Sequence, residues 1–355
     1  MEVLSFYLPQ FHPVPENDKW WGTGFTEWTN VTAAAPLFRG HVQPHLPRDL
    51  GFYDLRVPEV RAAQAQLAQD HGLTGFIYWH YWFGGRQLLE RPFHEVLSSH
   101  EPDFPFALAW ANHSWTGVWH GPGGIDKILI EQTYPGESDD RAHYEHLRRA
   151  FADPRYIRVD GRPVFFVYAP GELPQPARFV ERWQTMSREF GGLYLVACLG
   201  SMPYTTSHED GFDASVHFRF PFGWDRPTKI RERLQSLNLM RGPHRYPYAA
   251  TPSSPPKWIK GVLHPCIFPN WDNTPRAGRH GIVATDTNPK AFAAHVAEGI
   301  KRAATNPPAQ QMLLIKSWNE WAEGNYLEPD QEFGMGWLEA IADELRAAGY
   351  FQERE

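Results

Sequence analysis

Glu320 and Glu323 lie three residues apart in Ile315-Lys316-Ser317-Trp318-Asn319-Glu320-Trp321-Ala322-Glu323-Gly324-Asn325-Tyr326-Leu327-Glu328, where an apolar run beginning at Met312 gives way to indole, amide and carboxylate groups. On one helical turn this spacing puts both carboxylates on the same side of the chain. Two anions close together beside the large rings of Trp318 and Trp321 repel each other and lose solvation, so one proton is expected to be held unusually tightly. A group that keeps its proton beside one that has lost it is what general acid–base catalysis requires. Paired carboxylates with aromatic walls are also what cleavage of a glycosidic bond demands. The plainer alternative is a solvated helix start, with acids at the positive end of the helix dipole.

The elements that must position this pair alternate along the chain. Short apolar runs predict strands over 3–8, 75–79, 106–110, 164–168, 194–199, 214–218, 262–268 and 312–316. Amphipathic, charged segments between them predict helices over 57–71, 88–98, 139–151, 176–190, 228–237, 290–304 and 336–348. Eight strands alternating with helices predict the α/β class and a (β/α)8 TIM barrel with long βα loops. An open doubly wound sheet is the alternative, but the Gly-rich phosphate turn it needs is missing after the first strand. With no internal repeat, low-complexity tract or linker, residues 1–355 read as a single domain.

Polar and aromatic residues gather where these strands end: Pro9-Gln10-Phe11-His12, Trp79-His80-Tyr81-Trp82, Trp110-Ala111-Asn112-His113, Tyr168, His217, Asn270-Trp271-Asp272 and Trp318-Asn319-Glu320. Barrel active sites are built on that face. Trp79, Trp110, Trp115 and Trp318 are candidates to stack on sugar rings, or to pack in the core, and Trp271 is a further substrate-binding candidate. His80, His113, His217, Asn112 and Asn319 are candidates to bond hydroxyls, Asn270 is a further substrate-binding candidate, and Tyr168 either reaches the site or closes the barrel. Three long insertions, 13–54, 112–138 and 219–261, follow strands on the same face and are expected to wall a cleft. The second carries Trp119 and the turn Gly121-Pro122-Gly123-Gly124. The third holds nine Lys or Arg against two acids, among them Arg226, Lys229, Arg231, Arg233, Arg241 and Arg245. That loop could meet an anionic glycan or carrier, or be a solvated loop balanced by the acidic remainder.

Composition excludes several classes. A net charge of −7 over 355 residues argues against nucleic acid as a partner. Aromatic residues make up 15% of the chain, many beside Gly, His, Asn and Glu, which suits a sugar-binding surface. Neither an HExxH motif nor a close His/Cys spacing is present, so no metal and no cofactor is expected. Cys198 and Cys266 fall in apolar segments and read as buried free thiols. No apolar run approaches the ~20 residues that span a bilayer, and Met1 runs directly into a strand without a leader pattern. The expectation is a cytoplasmic protein without a membrane span.

The motifs carry a resemblance. Trp318-Asn319-Glu320-Trp321-Ala322-Glu323-Gly324 with Leu327-Glu328-Pro329 resembles the C-terminal signature of WbsX-type, glycoside hydrolase family 99-like domains. Phe6-Tyr7-Leu8-Pro9-Gln10-Phe11-His12-Pro13, then Trp20-Trp21-Gly22 and Gly24-Phe25-Thr26-Glu27-Trp28, resembles the same group. So do Tyr78-Trp79-His80-Tyr81-Trp82-Phe83 and Phe106-Ala107-Leu108-Ala109-Trp110-Ala111-Asn112. The resemblance covers essentially the whole chain and implies a barrel related to retaining endo-α-mannosidases, with an oligosaccharide or polysaccharide as substrate. It gives Glu320 the role of base on the sugar's 2-hydroxyl, which attacks C1 to form a 1,2-anhydro sugar. It gives Glu323 the role of acid on the leaving oxygen, and it marks Tyr7, Gln10 and Glu27 as site residues without fixed roles. Family 99 commonly has His where this chain has Ala322, so mannose specificity does not transfer with the carboxylates. A 2-hydroxyl displaces an anomeric group only from the opposite face of the ring, which α-mannosides and α-rhamnosides permit and α-glucosides do not. The WbsX group is also labelled glycosyltransferase; this chain lacks an Asp-x-Asp motif and an evident nucleotide-phosphate loop. Transfer, hydrolysis and non-catalytic glycan binding are the three functions that remain.

Overall fold

The apolar runs form parallel strands: β1 (Glu2–Tyr7), β2 (Gly75–Phe83), β3 (Phe106–Trp110), β4 (Arg162–Val167), β5 (Tyr194–Leu199), β6 (Ala214–His217), β7 (Val262–His264), β8 (Cys266–Ile267) and β9 (Met312–Ile315). The computed structural model describes residues 1–117, 128–200, 204, 206–218, 242–250 and 259–351. Its strands follow the order β7-β6-β5-β4-β3-β2-β1-β9-β8. β7 and β8 are two pieces of one barrel strand broken at Pro265, which has no N–H for the ladder. The first piece pairs with β6 and the second with β9, so the barrel comes close to closing through an interrupted strand. The Pro265 carbonyl still accepts from Leu314 N at 2.9 Å.

Both faces of these strands are covered, as a parallel sheet requires; every residue of β2 is buried. Inside the barrel Phe6 stacks on Trp79 at 4.9 Å and meets Phe166 and Phe218 edge-on, a floor of aromatic rings beneath the strand ends. Outside lie α3 (Pro58–Asp70), α4 (Arg91–Ser99), α5 (Glu137–Phe151), α6 (Pro176–Met186), α8 (Pro289–Ala303) and α9 (Gly336–Ala347). Three short helices sit in the loops above the strands: α1 (Pro15–Trp21), α2 (Glu27–Ala33) and α7 (Thr274–Ala277). Local chemistry fits these boundaries. α5 has Glu137, Asp139 and Asp140 in its first turn and Arg148 and Arg149 in its last, both favourable to the helix dipole. Asn288 caps α8 by accepting from Ala291 N at 3.0 Å.

Several boundaries differ from the sequence pattern. The second strand runs on to Phe83 because Arg86–Leu88 folds back on it as an antiparallel hairpin, so the helix expected over 88–98 starts only at Arg91. The helix expected over 176–190 ends at Met186, with a separate 3-10 turn at Arg188–Phe190. The helix expected over 228–237, Trp119 with the 121–124 turn, and Arg226, Lys229, Arg231, Arg233 and Arg241 lie outside the described residues. Cys198 and Cys266 are both free thiols. Among the described residues no helix is long and apolar enough to cross a membrane.

Candidate active site

The chain leaving β9 is stitched to the end of β1. Trp318 N donates to the Phe6 carbonyl at 2.7 Å, and the Asn319 side chain accepts from Leu8 N at 2.7 Å and donates to Leu8 O at 3.1 Å. Asn319–Glu320 then pairs antiparallel with Asn325–Tyr326, and the connecting residues Trp321–Glu323 form a single 3-10 turn. Glu320 therefore ends the first arm of a tight hairpin and Glu323 ends its turn, rather than both sharing an α-helical turn. Gly324 closes it at φ +61°, where a Cβ would stand 2.8 Å from Asp272 N. Gly324→Ala is accordingly expected to destabilise the protein by about 2–5 kcal/mol, from left-handed strain plus the clash, measured as a loss in chemical or thermal denaturation. Beneath the hairpin the Glu328 carboxylate accepts from Trp321 Nε1 (2.6 Å), Tyr53 Oη (2.9 Å) and Gln64 Nε2 (2.6 Å). Burial pushes Glu328 up to about 7 despite these donors.

Glu320 and Glu323 open onto a cleft with about 860 Å³ of empty space, part of it open to solvent. Two buried cations meet the acids there. Lys316 Nζ lies 3.5 Å from Glu320 Oε2. Arg276 spans two carboxylates, donating from Nη1 to Glu323 Oε1 at 2.7 Å and from Nη2 to Glu27 Oε1. Arg276 is aimed by α7, whose first residue is held by Asp272: Oδ1 accepts from Thr274 N (3.0 Å) and Oγ1 (2.6 Å). Asp272 Oδ2 is held by His41 Nε2 (2.7 Å) and Gln43 Nε2 (2.6 Å), and Asp272 N donates to the Glu323 carbonyl at 2.6 Å.

Electrostatics separate the members of this cluster. Burial, then the neighbouring Glu320 charge, push Glu323 up to about 7; Arg276 opposes this, but its charge is shared with Glu27. Burial also raises Glu27, against Arg276. Burial would lower Lys316, but Glu320 and Glu323 outweigh it and hold the ammonium above its usual range. Glu323 Oε2 is a buried acceptor with no hydrogen-bond partner among the described residues, so it has an unused lone pair in a site where such groups are costly.

The cleft brings together Gln10, Glu27, Trp79, His113, Trp115, Tyr168, Glu320 and Glu323 of the residues expected from sequence. Burial lowers His113 to about 4, with Lys316 adding to the effect, so its ring is neutral, and its Nδ1 has no partner among the described residues. The other expected residues lie elsewhere, mostly because side chains alternate along a strand. Trp79 and Tyr81 point into the cleft, so His80 and Trp82 point out, where His80 Nε2 lies 2.8 Å from His143 Nε2 and Trp82 stacks on His143. Trp110 also faces outward, against His143 and Phe179. Phe6 faces the lumen, so Tyr7 faces α3 and donates to Gln64 Oε1 at 2.6 Å. Asn112 ties the Ala169 backbone and Tyr134 together. Trp318 packs on Phe76 and is fully buried, and Trp321 stacks on Tyr326, so neither forms the aromatic wall expected beside the glutamates. Asn319 is spent on β1. Asn270 accepts from Trp271 N and faces a separate depression, Trp271 is buried near Lys316, and His217 is half-buried at the end of β6.

The walls come instead from Trp21, Phe25, Trp79, Tyr81, Trp115 and Tyr168. Sequence reasoning missed Arg276, Lys316, Tyr81, Trp21 and Asn17. Tyr81, two residues after Trp79 on one strand, and Lys316, at the strand end before Glu320, carried a usable signal. Among the described residues no group of three or more His, Cys, Asp or Glu side chains is arranged to hold a metal ion.

The family model described as glycosyltransferase WbsX matches residues 3–341. The chain belongs to this family. Two relatives in Xanthomonas campestris pv. campestris, strains B100 and ATCC 33913, both described as uncharacterized protein WxcX, are each 39% identical over 350 residues, covering 98% of this chain and 50% of the relative. The chain thus spans about half the length of the curated relatives it matches. Among solved structures, the GH99 endo-alpha-mannosidase from Bacteroides thetaiotaomicron is 15% identical with a TM-score of 0.61, covering 99% of each chain. A glycoside hydrolase-like protein is 16% identical with a TM-score of 0.60, covering 97% of this chain and 93% of its own. At these identities the likeness carries the fold: this WbsX-family member has the α/β barrel of the family 99 enzymes.

Proposed function

We propose that the protein is a carbohydrate-active enzyme, a retaining glycoside hydrolase that cleaves 1,2-trans α-glycosides of mannoside or rhamnoside type in an oligosaccharide or polysaccharide. The observation that carries this reading is the inequality of the two carboxylates. Lys316 Nζ stands 3.5 Å from Glu320, whereas Glu323 is pushed up to about 7 and keeps a proton available. In the first step Glu320 takes the proton of the 2-hydroxyl, O2 forms a bond to C1, the C1–O bond to the leaving group breaks, and Glu323 gives its proton to the departing oxygen. In the second, Glu323 takes a proton from water, the water oxygen bonds to C1, the C1–O2 bond breaks, and Glu320 returns the proton to O2. Two inversions give net retention. Arg276 and Glu27 hold Glu323 in place as positioning residues, and the aromatic walls exclude water from the sugar face.

The kcat/KM profile is expected to carry an alkaline limb near pH 7. Glu323 must hold its proton for the first step, so activity falls as pH rises through its raised pKa of about 7. A limb set only by a group titrating near pH 10 contradicts that assignment. The family's description as a glycosyltransferase supports a second reading, in which an acceptor hydroxyl replaces water. Incubating the protein with α-mannan and α-rhamnan fragments, with and without nucleotide sugars, separates the readings. New reducing ends support hydrolysis, consumption of nucleotide sugar supports transfer, and binding without either leaves a glycan-binding barrel.

A further inference from the structure

The charged groups of the cleft come from α2, α7 and the chain leaving β9, and uncharged polar groups line the same cleft. Three primary amides line it, Gln10, Asn17 of α1 and Asn30 of α2, with Trp21, Phe25 and Trp115. Asn17 is 1% exposed, and both its Nδ2 and its Oδ1 lack a hydrogen-bond partner among the described residues. Its helix, α1, is firmly placed: Pro15 sets its first turn, Glu16 binds Arg86 of the β2 hairpin at 2.6 Å, Trp20 meets Trp115 edge-on, and Asp18 accepts from Gly24 N at 2.8 Å. The amide is therefore held buried in the cleft wall, with neither its donor nor its acceptor engaged by a described residue. Buried polar groups without partners are rare because each forfeits its hydration.

A primary amide that gives one hydrogen bond and accepts another fits two adjacent hydroxyls, one acting as acceptor and one as donor. Trp21, Phe25 and Trp115 in the same cleft offer flat faces to the C–H side of a pyranose. No charged side chain of the cleft wall belongs to α1, and an amide pairs with neutral hydroxyls without needing a counter-charge. We infer that Asn17, with Gln10 and Asn30, forms a site for a second, neutral sugar ring, reading two neighbouring hydroxyls on it beside the ring held at Glu320 and Glu323. The substrate unit is then at least a disaccharide. This rests on the glycan-cleaving reading above and extends it from the bond broken to the length of chain recognised.

The test measures binding, in the Glu320→Gln protein so that turnover does not interfere, by calorimetry with mannose, rhamnose and their α-linked disaccharides. At least one disaccharide is expected to bind about tenfold or more tighter than its monosaccharide, and adding Asn17→Leu is expected to remove that preference. Because the amide has no partner among the described residues, Asn17→Leu alone is expected to leave the melting temperature unchanged or raised; a fall of several degrees means that the amide is structural and overturns the inference. Equal binding of one and two rings, no binding of any of these sugars, or a preference that survives Asn17→Leu also overturns it. If wild-type protein fails to hydrolyse these glycosides while the Asn17-dependent preference holds, the hydrolase reading falls and the site stands. If hydrolysis is seen without the preference, the reverse is true.

Discussion

Glu320→Gln is expected to lower kcat/KM by roughly 10²–10⁴-fold on every substrate, whatever its leaving group, because the 2-hydroxyl then has no base and cannot attack C1. Glu323→Gln is expected to behave differently. Its loss is of similar size for a natural sugar leaving group, whose oxygen needs a proton, and much smaller for a fluoride or nitrophenolate, which departs without one. Both amide variants keep the shape of the site, so glycan binding is expected to persist in each. Steady-state kinetics on paired glycosides with good and poor leaving groups read this directly. Identical leaving-group dependence in the two variants contradicts the division of labour.

Arg276→Met is expected to have the largest effect on the scaffold. Glu27 is fully buried and Glu323 nearly so, and one guanidinium faces both. Removing it leaves two buried carboxylates short of their counter-charge, a class of change that costs about 3–5 kcal/mol. The effect on pH follows in sign: without the cation the Glu323 anion is less favourable, so its pKa climbs beyond about 7 and the alkaline limb of kcat/KM moves to higher pH. Adding Glu27→Gln is expected to restore part of the lost stability, since one uncompensated charge is gone. Thermal denaturation and pH–rate profiles of the three proteins measure both effects. An Arg276→Met protein as stable as wild type, with an unmoved limb, means that the clamp does not exist in solution.

The barrel was legible because strands buried on both faces read as unbroken apolar runs, and two of them, 106–110 and 194–199, have the boundaries that the sequence predicts. The same continuity hid which way each side chain points. With no polar–apolar alternation along Gly75–Phe83, nothing distinguished Trp79 and Tyr81, which face the cleft, from His80 and Trp82, which face α5. The phase is set by three-dimensional closure: Phe6 fills the lumen, so Tyr7 cannot. The glutamate pair was legible because its spacing survives any local geometry, although the turn that carries it is 3-10 rather than α. Arg276 was not. It lies 47 residues from Glu323 and 249 from Glu27, in a loop whose own sequence gives no sign of two buried acids. Pro265 shows the converse, a single residue whose missing N–H breaks a strand that hydrophobicity alone reads as continuous.

The central claim is that O2 of the sugar, and not a carboxylate of the protein, attacks C1. It is tested most directly by treating the protein with α-mannosyl fluoride, α-rhamnosyl fluoride and their 2-deoxy-2-fluoro counterparts, following fluoride release and intact protein mass. The account predicts turnover of at least one parent fluoride with a product that retains its anomeric configuration, no turnover of the 2-deoxy-2-fluoro sugars, and an unchanged protein mass. A protein heavier by one 2-deoxy-2-fluoroglycosyl unit, carried on Glu320 or Glu323, contradicts it.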